Sequence, residues 1–550
     1  MNPLLCSMLV VFLTFSSLTF GKDIVQEGCA KKDISVRANG KRKQVTFPSA
    51  VGVQPNEALV SSCLIFSGID TYLTVQSKGV EVSLNEQPFV VANGQKIKDG
   101  DSIRLRAMAP AKQRKGQRVI VNLFEDPSAV QLKRMQYLLI WRIYTSSTPS
   151  QQTYKVGPNS IYREVDDVLD LVHPGDTILL ESGATYQGFI AKNISGTKDA
   201  PITIKSDAKS AMERPRLIGK GGGRRDWVVG LSGSYFWHIE NLIIEHGDVC
   251  VRHEGAYTVI RDVLIRDCHH GVLGTDQNSG SLTITNSEVV DSGGKVEGRA
   301  WGHAIYIATD RDRFPGSVFT LENSFVHGNR GNAVKSRAEI TRIEHNWLET
   351  SSDEQSRYLI ELIGYDAYDD SEPLYGYVED NVLVHIGTQH SVRVGGDGTG
   401  SNRGPVSFKR NLFVFSKDFA GTIFRIYHGL GSLDVTDSVF LLANSSPILI
   451  RDMLKPKQWT FGKPRVHFSN NQLGKVAIQY YHHDGEADLS QPYFSDVELD
   501  NDTIDFVSLD VTDNDWMPNL MSNYGDKKQW LIPPYSHRPT PERYIMSEIK

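Results

Sequence analysis

What this chain has least of is net charge. Across 550 residues, 65 acidic and 59 basic side chains leave a formal charge of −6, so it lacks the basic surplus with which a nucleic-acid-binding protein collects phosphates. Attraction to any polyanion must therefore be local. Long apolar runs are missing after residue 21, which argues against a membrane span in the mature chain. The one such run, MNPLLCSMLVVFLTFSSLTFG, has the length of an export-signal core and ends in small residues, although its start carries no charge. We read 1–21 as a signal peptide and the protein as secreted or periplasmic. Cysteine is scarce as well: of five, Cys6 falls in that segment. Cys29, Cys63, Cys250 and Cys268 remain, an even number that an oxidising compartment permits to pair. The first two share one candidate domain, whereas Cys250 and Cys268 stand nearly one repeat apart and could instead be stacked interior residues.

What the chain does have is a repeated phrase. One or two apolar residues, an Asn or Asp, then an apolar-polar-apolar tail recur as IENLII at Asn241, IRDVLI at Asp262, ITNSEV at Asn286 and LENSFV at Asn323. They continue as IEHNWL at Asn346, VEDNVL at Asn381, FKRNLF at Asn411 and VTDSVF at Asp437. Intervals run from 21 residues (Asn241 to Asp262) to 37 (Asn286 to Asn323), a base period in the low twenties stretched by insertions. Such self-similarity predicts a solenoid, with insertions looping out on one face. Ahead of it, residues 22–145 are short alternating segments such as CLIFSGI, SIRLRAM and RVIVNLF between turns, the pattern of an antiparallel β-sandwich. A polar stretch, 146–157, reads as a linker. The coils then occupy 158–485, opening with a capping helix whose apolar face is Ile161, Val165, Val168, Leu169 and Val172, and 486–550 reads as a tail packed along them. The fold class predicted is all-β.

A second strand aligns across coils as AIYIA (304–308), AVKSR (333–337), LIELI (359–363), SVRVG (391–395) and IFRIY (423–427). Their second and fourth residues are small or apolar and suit an interior. The third, sent outward by the two-residue period of a strand, is Tyr306, Lys335, Glu361, Arg393 and Arg425. Stacked about 4.8 Å apart, five rungs make a column roughly 20 Å long, the length of several sugar rings. The long inserts 293–302, 365–375 and 395–405 wall it. The competing reading is a solvated charge ladder that stabilises neighbouring coils.

The coils resemble the right-handed parallel β-helix of the pectate-lyase-like superfamily, over about residues 150–480. The first domain resembles immunoglobulin-like modules of secreted bacterial proteins in GVQPNEALVSSCLIFSGID and VANGQKIKDGDSIRLRAMAP. More narrowly, HGNRGNAVKSRAEITRIEHNWLE is similar to the Asn-x-x-Lys-Ser stretch of polysaccharide lyase family 6, the group of alginate lyases and chondroitinase B. That resemblance implies Lys335 as base and an arginine one coil later as acid, for which Arg357 has the spacing but not the column position. It also implies bound calcium, although Ala333 stands where a glutamate ligand is expected.

Removing the C5 proton of a uronate requires a cation on its carboxylate, a base, and an acid for the departing O4. Arg337, Arg393 and Arg425 can neutralise carboxylates, and Lys335 or Tyr306 can move protons. Glu361 beside Lys335 favours the charged lysine, so Tyr306 and His303 stand as alternative proton carriers. Tyr427 and His390 join Glu361, Arg393 and Arg425 as candidate substrate contacts. For metal, Asp366, Asp369, Asp370 and Glu372 hold four carboxylates within seven residues, enough for calcium or simply a solvated loop. The expectation is a lyase cleaving an alginate-like or glucuronan-like polysaccharide. The alternatives are a C5-epimerase, a glycoside hydrolase, for which the column offers one carboxylate where two are needed, and a non-catalytic binding solenoid.

Overall fold

A computed structural model describes most of residues 29–482, with breaks at 34–42, 70–71, 126–134, 222, 365–372, 388, 398–401, 443–446, 454–463, 475 and 477; beyond these it describes 496–503 and 538–540. The signal-peptide reading and the acidic cluster Asp366, Asp369, Asp370 and Glu372 lie outside the described residues. The chain divides into two compact units, one of residues 1–44, 60–106 and 121–138, the other of 45–59, 107–120 and 139–550.

In the first unit the alternating segments become a mainly antiparallel sheet. The long strand Leu73–Leu84 pairs antiparallel with Val90–Ile97 along its length, with 103–106 at one end and with 121–125 at the other. The alternation puts Leu73, Val75, Ile103, Leu105, Val121 and Leu123 inside. Cys29 and Cys63 are disulfide-bonded there.

The second unit is a parallel β-helix. Among the described residues its strands stack into two parallel sheets, one of 23 strands and one of 11. A typical coil runs Val318–Glu322, Phe325–Asn329, Val334–Arg337, and the next repeats it as Ile340–Glu344, Trp347–Thr350, Ile360–Ile363. Each strand turns alternate apolar side chains into one continuous core. The longer sheet begins at Thr153–Val156, inside the segment read as a linker, which pairs with Thr177–Leu180. It continues past residue 485, because Asp496–Thr503 pairs with Arg465–Leu473. Cys250 and Cys268 are both buried, and they are bonded to each other rather than merely stacked. Among the described residues no helix is long and apolar enough to cross a membrane.

The capping helix is shorter than its apolar spacing predicts. Only Asp166–Leu169 is helical, and just ahead of it the Asp167 carboxylate accepts the backbone N–H groups of Arg163 and Glu164. Val165, Val168, Leu169 and Val172 are buried as expected, but Ile161 lies ahead of the helix and is 93% exposed.

The repeated phrase proves to be two columns read as one. Asn241, Asp262, Asn286 and Asn323 adopt positive φ at the bend between strands, and in the later coils that position belongs to His345, Asp380 and Arg410 before Asp437 resumes it, all with φ between 48° and 57°. Asn and Asp tolerate this left-handed region best, which is why they recur. Asn346, Asn381 and Asn411 stand one residue further on, in an interior column with Ser287, Ser324, Ser438 and Asn471. There each side-chain oxygen accepts the backbone N–H of the preceding coil: Asn346 Oδ1 from Ser324, Asn381 Oδ1 from Asn346 and Asn411 Oδ1 from Asn381, at 2.9, 2.9 and 3.1 Å. The Asn381 amide in turn donates to the Ile343 and Glu379 carbonyls at 2.8 Å. Bends inside the β-helix thereby keep their polar groups satisfied without water.

Asn381→Leu strips partners from several of these buried groups at once. At about 1–3 kcal/mol for each orphaned group, we expect a loss of about 3 kcal/mol in denaturant unfolding. Asn381→Ser should lose less, since serine already fills this column elsewhere; equal stability of both variants and wild type would refute the role given to the ladder.

Candidate functional site

The shorter sheet carries the predicted column in register. Strands Ile305–Ala308, Val334–Arg337, Ile360–Ile363, Val392–Gly395 and Thr422–Ile426 pair in parallel so that Tyr306 lies opposite Lys335, Lys335 opposite Glu361, Glu361 opposite Arg393, and Arg393 opposite Arg425. Leu273 precedes the column, and Arg451 adds a sixth rung after it. The burial of Ile305 and Ile307 on either side of Tyr306, and of Val392 and Val394 around Arg393, fixes which side chains face out.

At the centre is a compact ionic cluster. Glu361, although on the outward face, is only 2% exposed because its neighbours in the column cover it. Its Oε2 lies 3.3 Å from Lys335 Nζ and accepts a hydrogen bond from the Asn332 amide, and its Oε1 accepts from Arg393 Nη1 at 2.6 Å. Asp397 closes the cluster from the insert after the Arg393 strand. Its Oδ1 accepts from Arg393 Nη2 at 2.9 Å, its Oδ2 accepts from Arg337, and Lys335 Nζ stands 4.0 Å away. Burial alone would raise the Asp397 carboxyl, but Arg393, Lys335 and Arg337 outweigh it and hold it below the usual carboxylate range. Burial likewise opposes the charge on Arg393, yet Glu361 and Asp397 raise it further.

Tyr306 and His303 flank this cluster. Lys335 Nζ lies 5.0 Å from the Tyr306 ring centroid and the Arg337 guanidinium 5.8 Å. Burial raises the Tyr306 hydroxyl above the ordinary tyrosine range, against the pull of Arg337. His303 meets the Tyr306 ring edge-on, and its Nδ1 accepts the Asn332 backbone N–H at 3.1 Å. Burial, then the charge of Lys335, hold it neutral, so the hydrogen sits on Nε2. Of the two alternative proton carriers, His303 thus has its Nδ1 lone pair engaged by the Asn332 N–H.

Further along the column the setting is aromatic. Arg425 donates to the Tyr358 hydroxyl at 2.6 Å and to Met453 Sδ at 3.2 Å, and lies 5.4 Å from the Tyr427 ring. Arg393 stacks on the same ring at 4.1 Å. Arg425 has no carboxylate partner among the described residues, in contrast to Lys335, Arg337 and Arg393. Burial pushes Tyr358 up to about 12 and His390 down to about 4, the latter helped by Arg425 and Arg451. His390 Nδ1 accepts the Thr422 N–H, and its ring stacks near Tyr358.

The structure thus brings together Tyr306, Lys335, Arg337, Glu361, Arg393 and His303, and beside them Arg425, Tyr427 and His390. Arg357 is not among them: its guanidinium sits 4.1 Å over Trp301, and no contact joins it to the column among the described residues. Sequence reasoning passed over Asn332, Tyr358, Asp397 and Arg451. Asn332 and Arg451 had signals, the first in the quoted Asn-x-x-Lys-Ser stretch, the second in ILIRD, which repeats the column pattern one coil later.

Calcium does not fit the cluster, because the oxygens of Glu361 and Asp397 already face Lys335, Arg337, Arg393 and the Asn332 amide. Glu245, His246 and Asp267 also group their ligand atoms elsewhere. There Glu245 is ion-paired to Arg216 and Arg266, which is likewise a poor donor set for a cation.

No protein-family description matches this sequence, and no curated protein does. Several solved structures are similar to it. An alginate lyase from Paenibacillus sp. str. FPU-7 is 16% identical over 58% of this chain and 99% of its own, with a TM-score of 0.32. The pectate lyase Pel9A is 13% identical over 59% of this chain and 79% of its own, at 0.31. The family 6 alginate lyase AlyGC is 12% identical over 64% of this chain and 53% of its own, at 0.27.

Proposed function

We propose that the column is the active site of an exported polysaccharide lyase, which cleaves a uronic-acid polymer by β-elimination. The observation that supports this reading best is the register itself: a tyrosine, a lysine and arginines aligned on one outward face, the residue types that elimination next to a carboxylate requires. In this reading Arg393 and Arg337 neutralise the uronate carboxylate and make the C5 proton acidic. Lys335 takes that proton as base once it has shed its own, against the Glu361 carboxylate 3.3 Å away that favours its charge, and Tyr306, kept protonated by burial, gives its proton to O4 as the bond breaks. Two disulfides accord with export.

Hydrolysis fits the same residues less well. Glu361 and Asp397 do put two carboxylates in the cluster, but a hydrolase needs one of them free as acid, whereas each is engaged by cations, Glu361 by Lys335 and Arg393 and Asp397 by Arg393 and Arg337. Incubation with alginate, glucuronan, pectate and chondroitin tests the proposal. Ultraviolet absorbance of unsaturated ends should appear with at least one of them; new reducing ends without that absorbance would mean hydrolysis, and binding with neither would mean a non-catalytic solenoid.

Arg425 stands three rungs from Lys335, roughly 14 Å along the stack, too far to touch the reacting atoms. Arg425→Gln should therefore raise KM about tenfold or more and leave kcat within a few-fold, since one charge-assisted contact to a distant sugar carboxylate is lost. A fall in kcat at unchanged KM would place the chemistry nearer Arg425.

A further inference from the structure

The cluster holds three cations and two carboxylates, and the two carboxylates are not equivalent. Glu361 is almost wholly buried and bridges Lys335, Arg393 and Asn332 inside the column. Asp397 lies on top. Its side chain is 30% exposed, against 13% for Lys335, 11% for Arg337 and 15% for Arg393. One oxygen is bound by one arginine and the other by a second, with a lysine close by. This is the coordination that a sugar carboxylate would need at that place.

The backbone is built to put it there. Gly395 takes φ +110°, a conformation that side chains rarely adopt, and a Cβ on it would meet the Tyr427 carbonyl oxygen at 2.3 Å. The chain thus turns at the end of the Arg393 strand, and the Gly396 carbonyl then accepts from Arg393 Nη2 at 3.2 Å. Asp397 is presented back over the guanidinium of its own strand.

We propose that Asp397 is an internal stand-in for the substrate carboxylate: it occupies the anion site formed by Arg393, Arg337 and Lys335, and an incoming uronate binds by displacing it. The proposal rests on the polyuronate reading, since the ligand must carry a carboxylate. Its consequences are specific. The exchange of one carboxylate for another leaves the cluster's charge unchanged, so a neutral sugar cannot open the site and a uronate can. Affinity is lowered by the fraction of molecules in which Asp397 holds the site. Glu361, by contrast, stays as the fixed counter-ion.

The test is titration calorimetry of wild type and Asp397→Asn with the trisaccharides of galacturonate, mannuronate, guluronate and glucuronate, and with cellotriose as the neutral control. If Asp397 holds the site in nine molecules out of ten, its removal should tighten uronate binding about tenfold and leave cellotriose unchanged. Equal or weaker uronate binding by a variant that melts as a folded protein would overturn the proposal and leave the polyuronate reading intact. Failure of both proteins to bind any of the uronates would overturn both. Should Asp397→Asn not fold, a structure of wild type with a bound trisaccharide decides the matter. The sugar carboxylate should lie on Arg393 and Arg337 with Asp397 turned away; Asp397 still on both arginines beside bound sugar contradicts the proposal.

Discussion

Lys335→Ala is expected to lower the rate of elimination by two to four orders of magnitude, about the contribution of a positioned base. The alanine variant alone is not decisive, because it also takes a cation from Glu361 and Asp397, at 3.3 and 4.0 Å, and a buried carboxylate that loses a partner is destabilising in itself. Lys335→Arg separates the two effects. An arginine keeps the charge that both carboxylates face, yet stays protonated in proteins and cannot take up a proton. Both variants should be equally inactive, and the arginine variant should melt close to wild type. An arginine variant that retained a tenth of the activity would place the base elsewhere in the column.

Tyr306→Phe should cost a comparable factor by a different route. Phenylalanine keeps the ring that Lys335 and Arg337 approach at 5.0 and 5.8 Å, so the cluster and substrate binding should persist, with KM within a few-fold. What is lost is the hydroxyl proton, and the loss should fall on kcat. The sign of the pH dependence follows from the same assignment. Tyr306 acts as an acid, so activity lasts while it is protonated; because burial raises its hydroxyl, the alkaline fall in kcat should begin above the ordinary tyrosine value of about 10. A decline that sets in well below that value would contradict the role. So would a phenylalanine variant with near-normal kcat.

Particular residues show how far the chain could be read without its structure. The outward column was legible because a strand alternates strictly: with Ile305 and Ile307 inside, Tyr306 must face out, and the same argument placed Lys335, Glu361, Arg393 and Arg425 in one register. The repeated Asn phrase was legible as a period but not as a position. Asn suits both a left-handed bend, as at Asn323, and a buried hydrogen-bonded column, as at Asn346, and the letter alone does not tell one from the other. Asp397 was hidden for another reason. It lies outside the alternating pattern, in a glycine-rich insert, and only the turn at Gly395 returns it to the arginines. Arg357 is the opposite case: the family resemblance implied an arginine one coil after Lys335, and the residue with that spacing lies outside the alternating column and stacks over Trp301.

The account predicts that bond cleavage in the polysaccharide takes up no water. Digestion of the responsive polyuronate in water enriched in heavy oxygen, followed by mass spectrometry of the oligosaccharides, tests this directly. Elimination should leave each new non-reducing end unsaturated and lighter by one water than a hydrolytic end, with no heavy oxygen at the earliest times, before the anomeric oxygen of the new reducing end exchanges with solvent. Heavy oxygen at the cleaved position, with saturated ends, would contradict it.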